Sequence, residues 1–145
     1  MPELTISVVS SVDILPVYHA IPEFARSINS EEIDQRLGHR ESIALIAYVD
    51  GNPAGFKLGY QINDRLFYSW LGGVLPDYRR YGVAQSLLVA QENMCRTKGY
   101  CWLQVKTRNC FPGMMRLLIK NKFQIISLEK KGSPSDYRLL FEKQL

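Results

Sequence analysis

Residues 74–88, VLPDYRRYGVAQSLL, carry the reading of this chain. Val74 and Leu75 end an aromatic and aliphatic run that begins at Leu66. Pro76 cannot donate to a sheet ladder and holds Leu75 extended, so it closes that run as a strand. Beyond a sharp turn the period changes. Ala84, Leu87, Leu88, Met94 and Cys95 recur at helical spacing, which predicts one long amphipathic helix over 81–98, stopped by Gly99. The amides from about Arg80 to Ala84, those of Tyr81 and Val83 included, have no intrahelical acceptors. With the positive end of the helix dipole they form an anion site. Gly82 admits a phosphate close to the backbone, Ala84 leaves the same space free, and Arg79 and Arg80 add charge-assisted donors at the rim.

Upstream, Gly72 and Gly73 interrupt the strand 66–75, and interior glycines mark a bulge or a close approach by another backbone or a ligand. Runs at 42–49 and 54–62 flank the turn Asp50-Gly51-Asn52-Pro53, and Asn63-Asp64 leads into 66–75, so three strands form an antiparallel meander. A strand at 4–9 opens the chain. Ile14, Val17, Tyr18, Ile21, Phe24, Ala25 and Ile28 then share one helical stripe, which Pro22 breaks or kinks. A short helix at 30–38 follows, with Ser30 as N-cap and Glu31 and Glu32 in its positive first turn. Downstream, 101–106 reads as a buried strand and Pro112 opens a helix to about Lys122. Strands at 123–129 and 136–143 surround the Gly132-Ser133-Pro134-Ser135 loop.

Arg79, Gly82 and Ala84 match the spacing Q/R-x-x-G-x-G/A, with V-x-P before it; in this the chain resembles the GNAT acetyltransferases. The resemblance implies an α/β (α+β) fold, a mixed, mostly antiparallel twisted sheet of about seven strands with helices on both faces. The strands at 66–75 and 101–106 would run parallel and open a V-shaped cleft, all within one domain, 1–145. It implies acetyl-CoA or coenzyme A as co-substrate, its pyrophosphate on the loop amides and its pantetheine arm along Gly72, Gly73 and Val74. Asn109, followed by a helix and Phe123, resembles part of the family segment N-x(5-7)-lY-x-k-x-GF and is a further candidate contact to that arm. The implied reaction is direct transfer of an acetyl group to a small-molecule or peptide amine, the oxyanion held by the backbone amide of Val74. Neither a metal nor a covalent enzyme intermediate is implied.

Two positions depart from the family pattern. Leu118 stands where many relatives carry a tyrosine that protonates the departing thiolate, and Lys122 replaces a glycine. A thiol pKa of about 8.5 makes the thiolate an acceptable leaving group without an acid, and Tyr60, Tyr68 or Ser69 could substitute. The strand 66–74 also lacks the carboxylate that often serves as base, so Glu23, in the loop bordering the acceptor pocket, is the candidate for that role. These gaps motivate the alternative of a non-catalytic acyl-CoA-binding module. One face of Phe67, Tyr68 and Trp70 should shape the acceptor pocket, although the sequence leaves open which.

Composition sets the limits. Hydrophobic residues at 46% and charged residues at 22% of 145 suit a globular chain of one-domain length. The net charge of +4 favours polyanions in general, but the basic residues are scattered and form no arm of the kind that tracks nucleic acid, so no nucleic-acid partner is expected. His19 and His39 show no metal-ligand spacing. Cys95, Cys101 and Cys110 suggest neither a disulfide framework nor a zinc site, and with no basic leader or spanning run the expectation is a cytoplasmic protein without membrane contact. An exposed strand edge leaves room for a homodimer.

Overall fold

The computed structural model describes residues 2–145. Seven strands form one sheet in the order β1-β2-β3-β4-β5-β7-β6, and every neighbouring pair is antiparallel except β4 and β5. The strands are β1 (Leu4–Val9), β2 (Ser42–Val49), β3 (Asn52–Gln61), β4 (Leu66–Val74), β5 (Trp102–Arg108), β6 (Gln124–Glu129) and β7 (Arg138–Gln144). The helices are α1 (Leu15–His19), α2 (Ser30–Leu37), α3 (Val83–Thr97) and α4 (Pro112–Lys120).

Each face of the sheet has its own core. Alternation along β3 puts Phe56, Leu58 and Tyr60 against Ile14, Val17, Ile21 and Ile33 of the α1–α2 side. On the other face Leu87, Leu88 and Cys95 of α3 and Leu118 of α4 pack on Phe67, Leu103, Val105 and Phe141. Gly55 and Gly59 of β3 let α3 lie close: a Cβ on Gly55 would stand 3.0 Å from Val83, and one on Gly59 3.2 Å from the Gln91 amide.

Two local expectations are corrected. The stripe from Ile14 to Ile28 is not one helix: after a 3-10 turn at Ser11–Ile14, α1 stops at His19, ahead of Pro22. Ile21 and Ile28 are still buried, in irregular backbone, whereas Ala25 is exposed. The cap of α2 is Asn29 rather than Ser30, because the Asn29 side chain accepts from the Glu32 amide at 2.9 Å.

Candidate active site

β4 and β5 are held side by side only from Leu66↔Trp102 to Ser69↔Val105. Beyond that pair β4 continues to Val74 and β5 to Arg108 without pairing to each other, so the sheet opens as a wedge with Ser69 at its apex. The irregularity that starts the divergence lies at Trp70: Ser69 faces Gly59 and Leu71 faces Leu58, leaving Trp70 as the extra residue. The bulge is therefore two residues ahead of Gly72. The glycines serve close approach instead. A Cβ on Gly73 would meet Ile21 at 2.7 Å and Phe24 at 3.0 Å, and one on Gly72 would meet the Lys57 stem at 3.2 Å.

The backbone of the β4 edge can be oriented. The Leu75 amide donates to the Ala54 carbonyl at 2.8 Å, so alternation turns the N–H and C=O of Val74, and those of Gly72, toward the open wedge. The Val74 carbonyl accepts from Arg79 Nε at 3.2 Å, which leaves the Val74 amide facing the wedge unshared. At the wedge mouth, Gly82 adopts φ 77, ψ 16 and caps α3, and Arg80 is also left-handed at φ 72. Among the described residues, the amides of Arg80 through Gln85, which include those of Tyr81, Val83 and Ala84, reach no backbone acceptor; Ser86, bonding Gly82, is the first that does. A Cβ on Gly82 would meet nothing within 4 Å, so the space beside this residue, in the middle of the six amides, is open. These donors fit a pyrophosphate, and the unpaired edge at Gly72 and Val74 fits an amide-bearing arm.

Other candidates are placed less directly. Arg79 Nη1 pairs with Glu23 Oε2 at 2.7 Å, and this guanidinium hydrogen bond holds the Glu23 carboxyl below its usual pKa. The pairing makes Glu23 a weaker base than an isolated glutamate and fixes the loop after α1 to the anion loop. Asn109 follows β5, but its side-chain amide donates to the Pro134 carbonyl at 2.9 Å, tying down the β6–β7 connection. Leu118 is fully buried in the α3–α4 core, with no polar group to offer.

The structure also orients the aromatic strand. Tyr68 and Trp70 lie on the α1–α2 face and Phe67 on the α3 face. The Tyr68 phenol is raised above its usual pKa, first by burial and then by Tyr60, with Arg36 and Arg138 opposing. Arg36 stacks 4.6 Å over Trp70 and donates to the Tyr60 hydroxyl at 3.3 Å, and Arg40 lies over Tyr60. Neither makes an ion pair with a described residue. An open depression of about 460 Å³ lined by Glu32, Gln35, Arg36 and Arg40 adjoins them.

One buried group has no counterpart among the sequence candidates. Lys57 is wholly buried beneath α3, with Nζ 3.0 Å from Ser69 Oγ, and burial lowers its pKa to about 8. Its only sequence signal was a lysine between Phe56 and Leu58, which reads as the solvent face of a strand. Among the described residues, no His, Cys, Asp and Glu side chains gather in threes as metal ligands, and no helix is long and apolar enough to cross a membrane.

A family model described as acetyltransferase (GNAT) family matches residues 13–117. A comparison with curated proteins gives no match. Among solved structures, Ard1 from Thermoplasma volcanium superposes with a TM-score of 0.82 at 22% identity, over 98% of this chain and 97% of that one. The ribosomal-protein-S18-alanine N-acetyltransferase from Escherichia coli gives 0.82 at 18% identity over 98% and 94%. Arabidopsis thaliana Naa50, in complex with the bisubstrate analogue CoA-Ac-MVNAL, gives 0.79 at 14% identity over 98% and 99%.

Proposed function

This chain belongs to the acetyltransferase (GNAT) family, and we propose that it works as a single domain, transferring an acetyl group from acetyl-CoA directly to the α-amino group of a peptide. The observation that carries the donor half is the run of unbonded amides at 80–85 beside the unpaired β4 edge. In this reading the pyrophosphate sits on Arg80, Tyr81, Gly82, Val83 and Ala84, with Arg79 at the rim, and the pantetheine arm lies along Gly72, Gly73 and Val74 toward Asn109. The Val74 amide, already aimed into the wedge, receives the carbonyl oxygen as charge develops on it.

The acceptor half follows from proton chemistry. Among the described residues, the charged groups that act on the Tyr68 phenol are Tyr60, Arg36 and Arg138 and include no carboxylate, and Glu23 is paired with Arg79. An α-amino group, with a pKa of about 7.7–8.0, is about one tenth neutral at pH 7, against about four parts in ten thousand for a lysine side chain, so the α-amine needs no strong base. Water can take the surplus proton, and Tyr68, kept protonated, orients the amine. The S18-alanine N-acetyltransferase and the Naa50 complex with CoA-Ac-MVNAL, whose names point to a protein or peptide acceptor, share this fold and are in keeping with that choice. Three free thiols suit a cytoplasmic setting.

Calorimetry should detect coenzyme A and acetyl-CoA, and free-thiol release should be faster with a peptide bearing a free N-terminus than with its N-blocked, lysine-containing counterpart. Preference for the blocked peptide would overturn the acceptor assignment; no heat with either ligand would overturn the donor site. Because Arg36 and Arg138 border Tyr68, and Arg40 lies over the neighbouring Tyr60, all without a described ion-pair partner, peptides with Asp or Glu next to the first residue should outcompete Lys-containing ones. Exposed ion pairs are worth up to about 1 kcal/mol, so Arg36→Ala should reduce that preference by about fivefold.

A further inference from the structure

We propose that Ser69 is the acid that protonates the departing sulfur, with Lys57 behind it as the positioning residue that keeps the hydroxyl donating and supplies its proton. This rests on the acetyl-transfer reading above. Ser69 is the last β4 residue paired to β5, and its side chain is buried at the apex where the wedge begins. Lys57 Nζ lies 3.0 Å from Ser69 Oγ and finds no other hydrogen-bond partner among the described residues. Glycine at 72 leaves the route from Nζ to the wedge edge open: a Cβ there would stand 3.5 Å from Nζ.

Among the described residues no carboxylate pairs directly with Lys57, although the Glu92 charge partly offsets its burial. From α3, Glu92 is committed to Lys143 on β7 at 2.9 and 3.0 Å, with Arg96 at 3.8 Å, and the Cys95 thiol is pushed by burial up to about 12. From the same helix, both amide atoms of Gln91 are buried without a partner, beside Gly59, the residue facing Ser69. A buried cation, a hydroxyl and an unsatisfied amide thus converge at the apex with spare hydrogen-bonding capacity. Such groups call for a polar partner the chain does not itself provide. A fixed cation placed where negative charge develops is the arrangement that lowers a barrier, and Leu118 offers nothing in its stead.

The step balances as follows. The neutral acceptor nitrogen bonds to the carbonyl carbon, the C–S bond breaks with its electron pair going to sulfur, and Ser69 Oγ–H protonates sulfur. Lys57 Nζ reprotonates Ser69 and recovers a proton from water, which also takes the proton lost by the acceptor nitrogen.

The test is the ultraviolet absorbance of the thiolate of coenzyme A bound to wild type, Lys57→Met and Ser69→Ala, titrated with pH, with desulfo-coenzyme A as binding control. A cation within a few ångströms lowers a thiol pKa by about one unit or more, so the bound thiol of the wild type should ionise at least tenfold more readily than free coenzyme A. Lys57→Met should return it to the free value, with desulfo-coenzyme A affinity within about twofold and kcat reduced about a hundredfold, the range of a lost general acid. Ser69→Ala should lose a similar factor in kcat, since its hydroxyl delivers the proton. A wild-type thiol that ionises like the free one, or a shift that survives Lys57→Met, overturns the proposal. Wild type that fails to bind coenzyme A at all overturns the donor reading, and this proposal with it.

Discussion

Replacing Gly82 with aspartate is expected to abolish coenzyme A binding. The residue caps α3 at φ 77, ψ 16, in the middle of the unbonded amides of Arg80 to Gln85. A carboxylate placed about 4 Å from a phosphate opposes it by about 4 kcal/mol in the effective dielectric of a protein surface, close to a thousandfold in Kd. Backbone strain is the smaller contribution, about 1–2 kcal/mol for a left-handed residue and less for Asp or Asn. Steric conflict within the protein contributes nothing, since an added Cβ would meet no atom within 4 Å. Gly82→Asn therefore separates the causes: it keeps the shape and removes the charge, and should weaken binding by less than about tenfold on the same strain argument. Calorimetric titration of both variants decides the matter; affinity retained in Gly82→Asp would place the phosphates elsewhere.

Lys57→Met is expected to stabilise the folded chain at pH 7 by up to about 3 kcal/mol, at 1.36 kcal/mol for each pKa unit that folding removes from this lysine. Burial lowers its pKa from 10.5 to about 8. Between those values the unfolded chain holds the proton that the folded chain has released, so the contribution of Lys57 to stability rises with pH across that window. Below about pH 8 the penalty is fully present, and above 10.5 it has gone. The gap between variant and wild type should accordingly be widest at neutral pH and close as pH approaches 10.5, measured by urea unfolding at several pH values. The Ser69 hydroxyl loses its partner in the variant, which costs about 1 kcal/mol or more and makes 3 kcal/mol the upper bound. A variant less stable than wild type at pH 7, or a gap independent of pH, would show that the lysine is not a destabilising buried cation. The two behaviours of Lys57, costly in the resting fold and useful when a thiolate forms beside it, are what the exchange of stability for function at a strained site looks like.

The local patterns of this chain state much of the fold. The turn clusters Asp50-Gly51-Asn52-Pro53 and Asn63-Asp64 between apolar runs made β2, β3 and β4 legible, and Asp50-Gly51 at φ 51 and 83 forms the turn its residue types favour. At α1 the break expected at Pro22 comes earlier, at His19, and the helical period runs past it because Ile21 and Ile28 are buried by tertiary packing beside β3; a buried residue in irregular backbone can fall on a helical interval by chance. Asn29 rather than Ser30 caps α2, a one-residue choice between two good caps that only backbone geometry resolves.

The strand, turn and helix at 66–88 mark the donor site in sequence because an anion site made of amides depends on short-range backbone conformation, which Pro76, Gly82 and the helical run after it specify by themselves. What only the tertiary structure decided is which groups meet across the sheet. The pairing of Glu23 with Arg79, the approach of Arg36 and Arg138 to Tyr68, and the burial of Lys57 against Ser69 join residues from separate elements, and β4–β5 pairing that stops at Ser69 sets where they meet. Strand alternation tells which residues share a face but not what covers it; α3, lying over Gly55, Lys57 and Gly59, turned a side that reads as solvent into the interior.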